Sequence, residues 1–141
     1  RFKGGGKGML TISQIATGEE NGLTLRVYGS EGAILWAQEN PNYLQFYKYG
    51  QPRQTLTRGQ EYLSDPAKGS TRIPTGHPEG YLEAFATIYC GVAEALRRHI
   101  EGNPMKTEEY DFPTVYDGLR GMQFISKAVQ SATEGSVWVE M

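Results

Sequence analysis

The sequence predicts an α+β protein in which an open antiparallel sheet, a meander, comes first and two main helices pack on one of its faces. Apolar residues alternate with period two between residues 9 and 57, and they then recur at spacings of three and four over 78 to 100 and 115 to 129. A chain of 141 residues, 38% of them hydrophobic, has apolar material for one packed core. We therefore expect residues 1 to 141 to form a single domain.

Five strands joined by four turns make up the predicted sheet. The clearest strand is 22 to 28, where an aliphatic set alternates with polar residues and faces inward. A strand over 9 to 16 precedes it across a polar, glycine-bearing turn and forms a hairpin with it. Three more follow at 33 to 38, 43 to 49 and, more weakly, 53 to 57. The aromatic residues of the fourth predict a second sheet face that meets solvent, another domain or another subunit; they are Tyr43, Tyr47 and Tyr49.

Residues 59 to 76 contain scattered glycines and prolines with little periodicity, which predicts a long irregular connection. The first main helix should begin with His77 as its N-cap, Pro78 at the first helical position and Glu79 near the positive end of the helix dipole. Gly102 and Pro104 should end it.

The second main helix has a capping-box signature, because Asp117 follows Thr114 by three residues. Gly135 should close this helix. The apolar residues within 136 to 140 then predict a final edge strand.

Charge and cysteine content exclude several classes of function. The net charge is -2, from 14 basic and 16 acidic residues, so no basic surface for nucleic acid or an anionic membrane is expected. No apolar run is long enough to span a bilayer. Cys90 is the single cysteine and lies in a helical pattern, which fits a core residue in a reducing compartment, and we expect a cytoplasmic protein.

Motifs for common chemistries fail when they are tested against the residues. Counting from Gly4, the dinucleotide fingerprint would need a third glycine where Met9 stands, and Lys7 is not followed by the Ser or Thr of a phosphate-binding loop. The two histidines and Cys90 lack zinc-ligand spacing. We therefore predict no catalytic, cofactor-binding or metal-binding residue in this chain.

One cluster of polar groups remains, within residues 72 to 81, where an imidazole, a carboxylate and a phenol follow the long connection. A histidine beside exposed helix amides can bind a hydroxylated or anionic ligand. The alternative is that His77 only caps the helix and Tyr81 packs on the sheet.

Three stretches of sequence resemble the C-terminal part of Gfo/Idh/MocA-type NAD(P)-dependent oxidoreductases. The first comprises Gly8 to Gln14, Gly18 to Leu23, Arg26 to Gly29 and Gly32 to Trp36. The second is Arg72-Ile73-Pro74 with Gly76 to Phe85, and the third is Phe112-Pro113-Thr114 with Asp117-Gly118 and Arg120-Gly121-Met122. Together they cover nearly the whole chain in order. The start at Arg1, without an initiator methionine, fits a cut inside something longer.

The resemblance implies a substrate-side and oligomerisation domain that is inactive alone. In this family an N-terminal Rossmann domain, absent from this chain, binds NAD or NADP and carries the catalytic lysine. The family's aspartate and histidine pair also precedes the segment seen here. The implied substrate is a sugar-like or polyol hydroxyl, as in sugar and inositol dehydrogenases, and the implied role of His77 and Gln14 is to line its site. No catalytic residue is carried over.

Two non-enzymatic alternatives stay open. The tyrosine-rich sheet face is a natural association surface, so the chain could serve chiefly as an assembly module that forms a homo-oligomer. It could also be a free-standing sugar-binding module that uses the open sheet face.

Overall fold

The computed structural model describes residues 2 to 141, and Arg1 lies outside the described residues. The chain divides into two compact units, which we call the sheet unit, Arg1–Glu79, and the helical unit, Gly80–Met141. Strands are confined to the first and the two long helices to the second. This confirms the α+β class, whereas the expectation of one domain stays a prediction.

The sheet unit contains an antiparallel sheet of four strands in sequence order, which confirms the open meander. The strands are β1 (Thr24–Tyr28), β2 (Gly32–Ala37), β3 (Tyr43–Lys48) and β4 (Gln54–Thr57). Each strand pairs only with its neighbours along the chain, so β1 and β4 are the two edges.

The strand register separates an apolar face from a mixed face. Leu25 lies opposite Trp36, and Val27 opposite Ile34, which pairs in turn with Phe46. The mixed face carries Arg26 opposite Leu35 and Tyr28 opposite Ala33, whose partner on β3 is Tyr47. Because side chains alternate along a strand, Tyr43 shares the mixed face with Tyr47, while Tyr49 follows the end of β3.

The predicted strand over residues 9 to 16 is wrong, because no described residue in that range is in a strand. Its alternation is real, but a strand forms only where the backbone finds a partner. The turn before β1 is bonded towards β2 instead, since the Asn21 amide donates to Glu39 Oε1 at 2.9 Å and the Gln38 amide to the Leu23 carbonyl at 2.9 Å. Met9 is 95% exposed.

The predicted edge strand over 136 to 140 is also wrong. Ser136 has a φ of 63°, outside the strand region, and its amide donates to the Ser131 carbonyl at 2.7 Å. The Ser131 hydroxyl donates to the Val137 carbonyl at 2.6 Å. The Ser136 amide and the Val137 carbonyl are therefore bonded to the end of the preceding helix and not to a strand.

The connection between β4 and the first long helix is not wholly irregular, because it contains the short helix α1, Asp65–Gly69. Pro66 stands at its start, where a missing amide proton does no harm. A helix of five residues has no room for an apolar stripe, so the periodicity of the sequence gave no sign of it.

The helical unit contains α2, Tyr81–Ile100, and α3, Val115–Thr133, with a 3-10 turn at Thr107–Glu109 between them. The predicted start of α2 is wrong: Gly80 is the N-cap, and its amide donates to Glu83 Oε2 at 3.0 Å. The Glu83 carboxylate thus accepts from the amide of the N-cap residue, and His77, Pro78 and Glu79 all precede the helix.

The other helix boundaries are confirmed. Gly102 follows the end of α2 with a φ of 77°, and Gly135 follows α3 with a φ of 89°. At the start of α3, Asp117 Oδ2 accepts from the Thr114 amide at 2.8 Å and from its hydroxyl at 2.9 Å. These hydrogen bonds hold the pKa of Asp117 below its ordinary value, because they favour the carboxylate form.

Among the described residues no apolar side chain is fully buried, and β2 is half-buried along its whole length. The packing of the two main helices on one sheet face stays a prediction. Within the described part of the chain, no helix is long and apolar enough to cross a membrane.

Candidate functional site

The most buried polar residue in the sheet unit is Glu79, which contacts the loop of residues 72 to 77. We call this loop the histidine loop. Glu79 is 8% exposed and is the one buried residue among those described. It lies against Arg58, just after β4, and Asn42, just before β3. These three residues form what we call the Arg58 network.

Glu79 holds one end of the histidine loop. Its Oε2 lies 2.6 Å from Arg58 Nη1, and the two side chains are only 5% and 16% exposed. Its Oε1 accepts from the Arg72 amide at 2.7 Å. Removing a carboxylate from water is costly, so this pair stabilises the fold only because its remaining hydrogen-bonding positions are also filled.

Arg58 holds the rest of the loop through backbone carbonyls. Nη1 donates to Ile73 O at 2.8 Å, and Nη2 donates to His77 O at 2.6 Å and to Pro74 O at 3.3 Å. A guanidinium carries five donors in a rigid plane, which is why one side chain can reach carbonyls spread over five residues.

Asn42 ties the pair to the sheet. Its Oδ1 accepts from Arg58 Nε at 2.8 Å and from the Glu79 amide at 3.1 Å, and its backbone carbonyl accepts from the Arg58 amide at 3.0 Å. Because Asn42 immediately precedes β3, its hydrogen bonds connect the histidine loop to the sheet.

A second anchor joins the middle of the loop to the turn after β4. The Thr75 hydroxyl donates to the Gly59 carbonyl at 2.9 Å. Gly59 has a φ of +76°, and a Cβ at this position would lie 2.8 Å from Thr75 Oγ1. Both the backbone conformation and the close approach therefore require glycine here.

The structure places His77 on the exposed side of this anchored loop, and its amide donates to the Pro74 carbonyl at 3.2 Å. Gln14, the other residue expected to line a substrate site, is exposed in the irregular segment before β1. In the part of the chain that the structure describes, no hydrogen bond joins the two. Their roles as lining residues stay predictions.

The Arg58 contacts fix the backbone of the histidine loop, and His77 is left exposed. No group of three or more metal-ligating side chains occurs among residues 2 to 141. Sequence reasoning missed Asn42 and Arg58 and assigned Glu79 to a helix dipole. The sequence does show an arginine next to a glycine, Arg58-Gly59. No pattern of neighbouring residues, however, indicates that Arg58 binds Asn42, 16 positions earlier, or Glu79, 21 positions later.

A shallow hollow of about 430 Å³ lies on the mixed face of the sheet. Arg26, Tyr28, Leu35 and Tyr47 are among its lining residues. The Arg53 guanidinium lies 4.9 Å from the centre of the Tyr47 ring, so a cation also covers part of this face. The hollow is only partly enclosed by these residues.

Comparison with known proteins gives a family and several relatives. The model of the oxidoreductase family C-terminal alpha/beta domain, of the Gfo/Idh/MocA group, matches residues 1–141. The uncharacterised oxidoreductase YfiI of Bacillus subtilis (strain 168) is 34% identical over 139 residues, which are 99% of this chain and 35% of that protein.

Two solved structures are similar over nearly the whole chain. An oxidoreductase from Sinorhizobium meliloti is 42% identical with a TM-score of 0.81, covering 91% of this chain and 35% of that one. An inositol dehydrogenase homologue from Azotobacter vinelandii, solved with NADH and myo-inositol, is 36% identical with a TM-score of 0.85, covering 92% and 34%. The chain thus spans about a third of the length of the proteins it matches.

Proposed function

Because the chain belongs to the oxidoreductase family as its C-terminal alpha/beta domain, we propose that it forms the substrate side of an NAD(P)-dependent oxidoreductase acting on a sugar-like or polyol hydroxyl. The observation that carries the proposal is the likeness to the homologue solved with NADH and myo-inositol, at 36% identity and a TM-score of 0.85. The anchored histidine loop supports it, since substrate binding favours a preformed backbone.

Within such an enzyme the nicotinamide cofactor accepts or donates the hydride, and the protein supplies binding and orientation. The His77 imidazole can donate or accept one hydrogen bond with a substrate hydroxyl, and the Gln14 carboxamide can do both. We assign no catalytic residue to this chain. Proton transfer and cofactor binding belong, in this proposal, to parts of the protein outside it.

The first test replaces His77 by Ala in a full-length protein that carries this chain, with oxidation of myo-inositol by NAD⁺ as the assay. We expect a higher KM, a lower kcat or both, because a hydrogen bond to the substrate is lost. The matched control is His99→Ala, which alters the other histidine, exposed in the last turn of α2. Unchanged kinetics with a lower Tm alone would contradict the lining role of His77.

A second test concerns the cofactor. We expect the chain of residues 1 to 141 alone to show no dehydrogenase turnover and no tight binding of NAD⁺ or NADP⁺. Calorimetric titration with each nucleotide measures this directly. A stoichiometric, saturable titration by the isolated chain would overturn the assignment of cofactor binding to other parts of the protein.

We also propose that the mixed sheet face joins copies of the protein into a homo-oligomer. The supporting observation is the open hollow beside Tyr28, whose ring is exposed on a strand face that carries few charges. Tyr28→Asp should lower the mass measured by light scattering at high micromolar concentration, whereas Tyr49→Asp, beyond the end of β3, should not. A wild-type monomer at that concentration would argue against an interface here.

The remaining alternative is a sugar-binding module without enzymatic activity. It would show itself as saturable heat in calorimetric titrations of the isolated chain with monosaccharides and inositols. Silent titrations, combined with activity in the full-length protein, would leave the oxidoreductase proposal in place.

A further inference from the structure

We propose that Arg58 is a positioning residue for substrate binding: together with Glu79 it fixes the histidine loop so that the His77 imidazole is presented to a substrate hydroxyl. This inference rests on the proposed function, and it adds a residue that does not itself touch the ligand. Its basis is that the guanidinium of Arg58 donates hydrogen bonds to three carbonyls of the histidine loop.

One of the Arg58 contacts fixes His77 itself. Its shortest loop contact is the 2.6 Å hydrogen bond from Nη2 to the carbonyl of His77 itself. The same guanidinium donates to Ile73 O at 2.8 Å, so the loop is held at two points four residues apart. The carbonyl of His77 is bonded to Arg58, and its amide is bonded to the Pro74 carbonyl. With both backbone groups fixed, the direction in which the His77 side chain leaves the backbone is restricted.

The ion pair makes this arrangement rigid. Arg58 Nη1 lies 2.6 Å from Glu79 Oε2, and Glu79 Oε1 accepts from the Arg72 amide at 2.7 Å. The pair therefore holds both ends of the histidine loop, from Arg72 to His77. Asn42 Oδ1 accepts from Arg58 Nε at 2.8 Å, which prevents the guanidinium from rotating about its long side chain.

A neutral or single-nitrogen side chain could not replace these contacts. Lysine has three donors on one atom, so it can keep the ion pair with Glu79 but cannot also reach Asn42 Oδ1, Ile73 O and His77 O in one geometry. Arg58→Lys should leave the charge balance intact while the loop loses its fixed position. A displacement of about 1 Å in a positioning group can lower catalysis on the order of 100-fold.

The test is a double-mutant cycle in the full-length protein, with myo-inositol and NAD⁺ as substrates. Wild type, Arg58→Lys, His77→Ala and the double variant are compared by kcat and KM. The dissociation constant of NAD⁺ and the far-ultraviolet circular dichroism spectrum show whether cofactor binding and folding are retained. Arg97→Lys is the matched control, because Arg97 also pairs with carboxylates, those of Glu94 and Glu101, but on the exposed surface of α2.

We expect Arg58→Lys to lower kcat/KM by about 10- to 100-fold, with the NAD⁺ dissociation constant unchanged. The double variant should be no worse than His77→Ala, because a residue that acts through His77 has nothing left to position once the imidazole is gone. Arg97→Lys should match wild type. If Arg58→Lys fails to fold, Glu79→Gln takes its place in the same cycle.

Three results would overturn the inference, and they are distinguishable from one another. If His77→Ala lowers activity but the Arg58→Lys effect adds to it in full, the proposed function survives and the positioning role does not. If His77→Ala leaves kinetics unchanged, the proposed lining role fails, and the positioning role fails with it. Wild-type kinetics for Arg58→Lys would also end the proposal.

Discussion

Replacing Glu79 by Ala tests whether the Arg58 network holds the sheet unit together. The substitution removes the carboxylate that faces Arg58 Nη1 at 2.6 Å and accepts from the Arg72 amide at 2.7 Å. It leaves a guanidinium that is only 16% exposed without its counter-charge, and a loop amide without its acceptor. The expected result is a large loss of stability from a single side chain.

The magnitude follows from the two interactions that disappear. Removing one partner of a buried ion pair costs about 3–5 kcal/mol, because the other charge stays in a poorly solvated place. The hydrogen bond from the Arg72 amide belongs to the same carboxylate, so it is included in that range and not added to it. The Ile73 amide lies 3.5 Å from Oε2, too far to change the estimate.

The assay is urea unfolding followed by the fluorescence of Trp36 on β2, with Trp138 replaced by Phe so that only the sheet unit reports. With a slope of about 2 kcal/mol per molar urea, the midpoint should fall by roughly 1.5–2.5 M. Glu79→Gln should show a smaller fall, because its carbonyl can still accept from the Arg72 amide.

Glu61→Gln is the matched control, since it also removes a carboxylate from an ion pair. Its partner Lys68 lies 3.1 Å away, but the Glu61 side chain is fully exposed. An exposed pair contributes little, so we expect no measurable shift of the midpoint. Equal midpoints for wild type and Glu79→Ala would refute the claim that burial makes the Arg58 pair structurally important.

Three further predictions concern local structure. Gly59→Ala should destabilise the sheet unit by more than about 1 kcal/mol, because Gly59 has a φ of +76° and an added Cβ would lie 2.8 Å from Thr75 Oγ1. Gly69→Ala is the control and should not destabilise it, because an added Cβ there meets open space. Thermal melting measures both variants. Trp36→Phe should cost about 1 kcal/mol in the same experiment, because the 3.1 Å hydrogen bond from Nε1 to Pro41 O is lost. The pKa of Asp117 is lowered in the folded state, so its contribution to stability is present above the ordinary aspartate pKa and is lost as the pH falls through the lower, folded pKa. Asp117→Asn should remove that part of the pH dependence of Tm. Identical curves of Tm against pH for wild type and Asp117→Asn would contradict this.

Part of the candidate site could be predicted from the sequence. The sequence predicted an irregular connection over 59 to 76, with His77 and Glu79 at the start of the next helix, whereas in the structure both residues precede that helix. It assigned Glu79 to a helix dipole because Pro78 and Glu79 are typical of a first helical turn. In the structure Glu83 serves the helix end, which leaves Glu79 to bind Arg58. Both glutamates satisfy the local rule, so only their three-dimensional partners distinguish them.

Local chemistry by itself determined the four strands of the meander, their alternation and the capping of α3. Period-two alternation and the Thr114 and Asp117 box depend on residues at most a few positions apart. Only the tertiary structure decided that residues 9 to 16 stay unpaired and that Asn42, Arg58 and Glu79 meet, 37 positions separating the first from the last. A strand needs a backbone partner and a buried ion needs a counter-charge. In both cases the partner is distant in the sequence, so the local residues alone do not identify it.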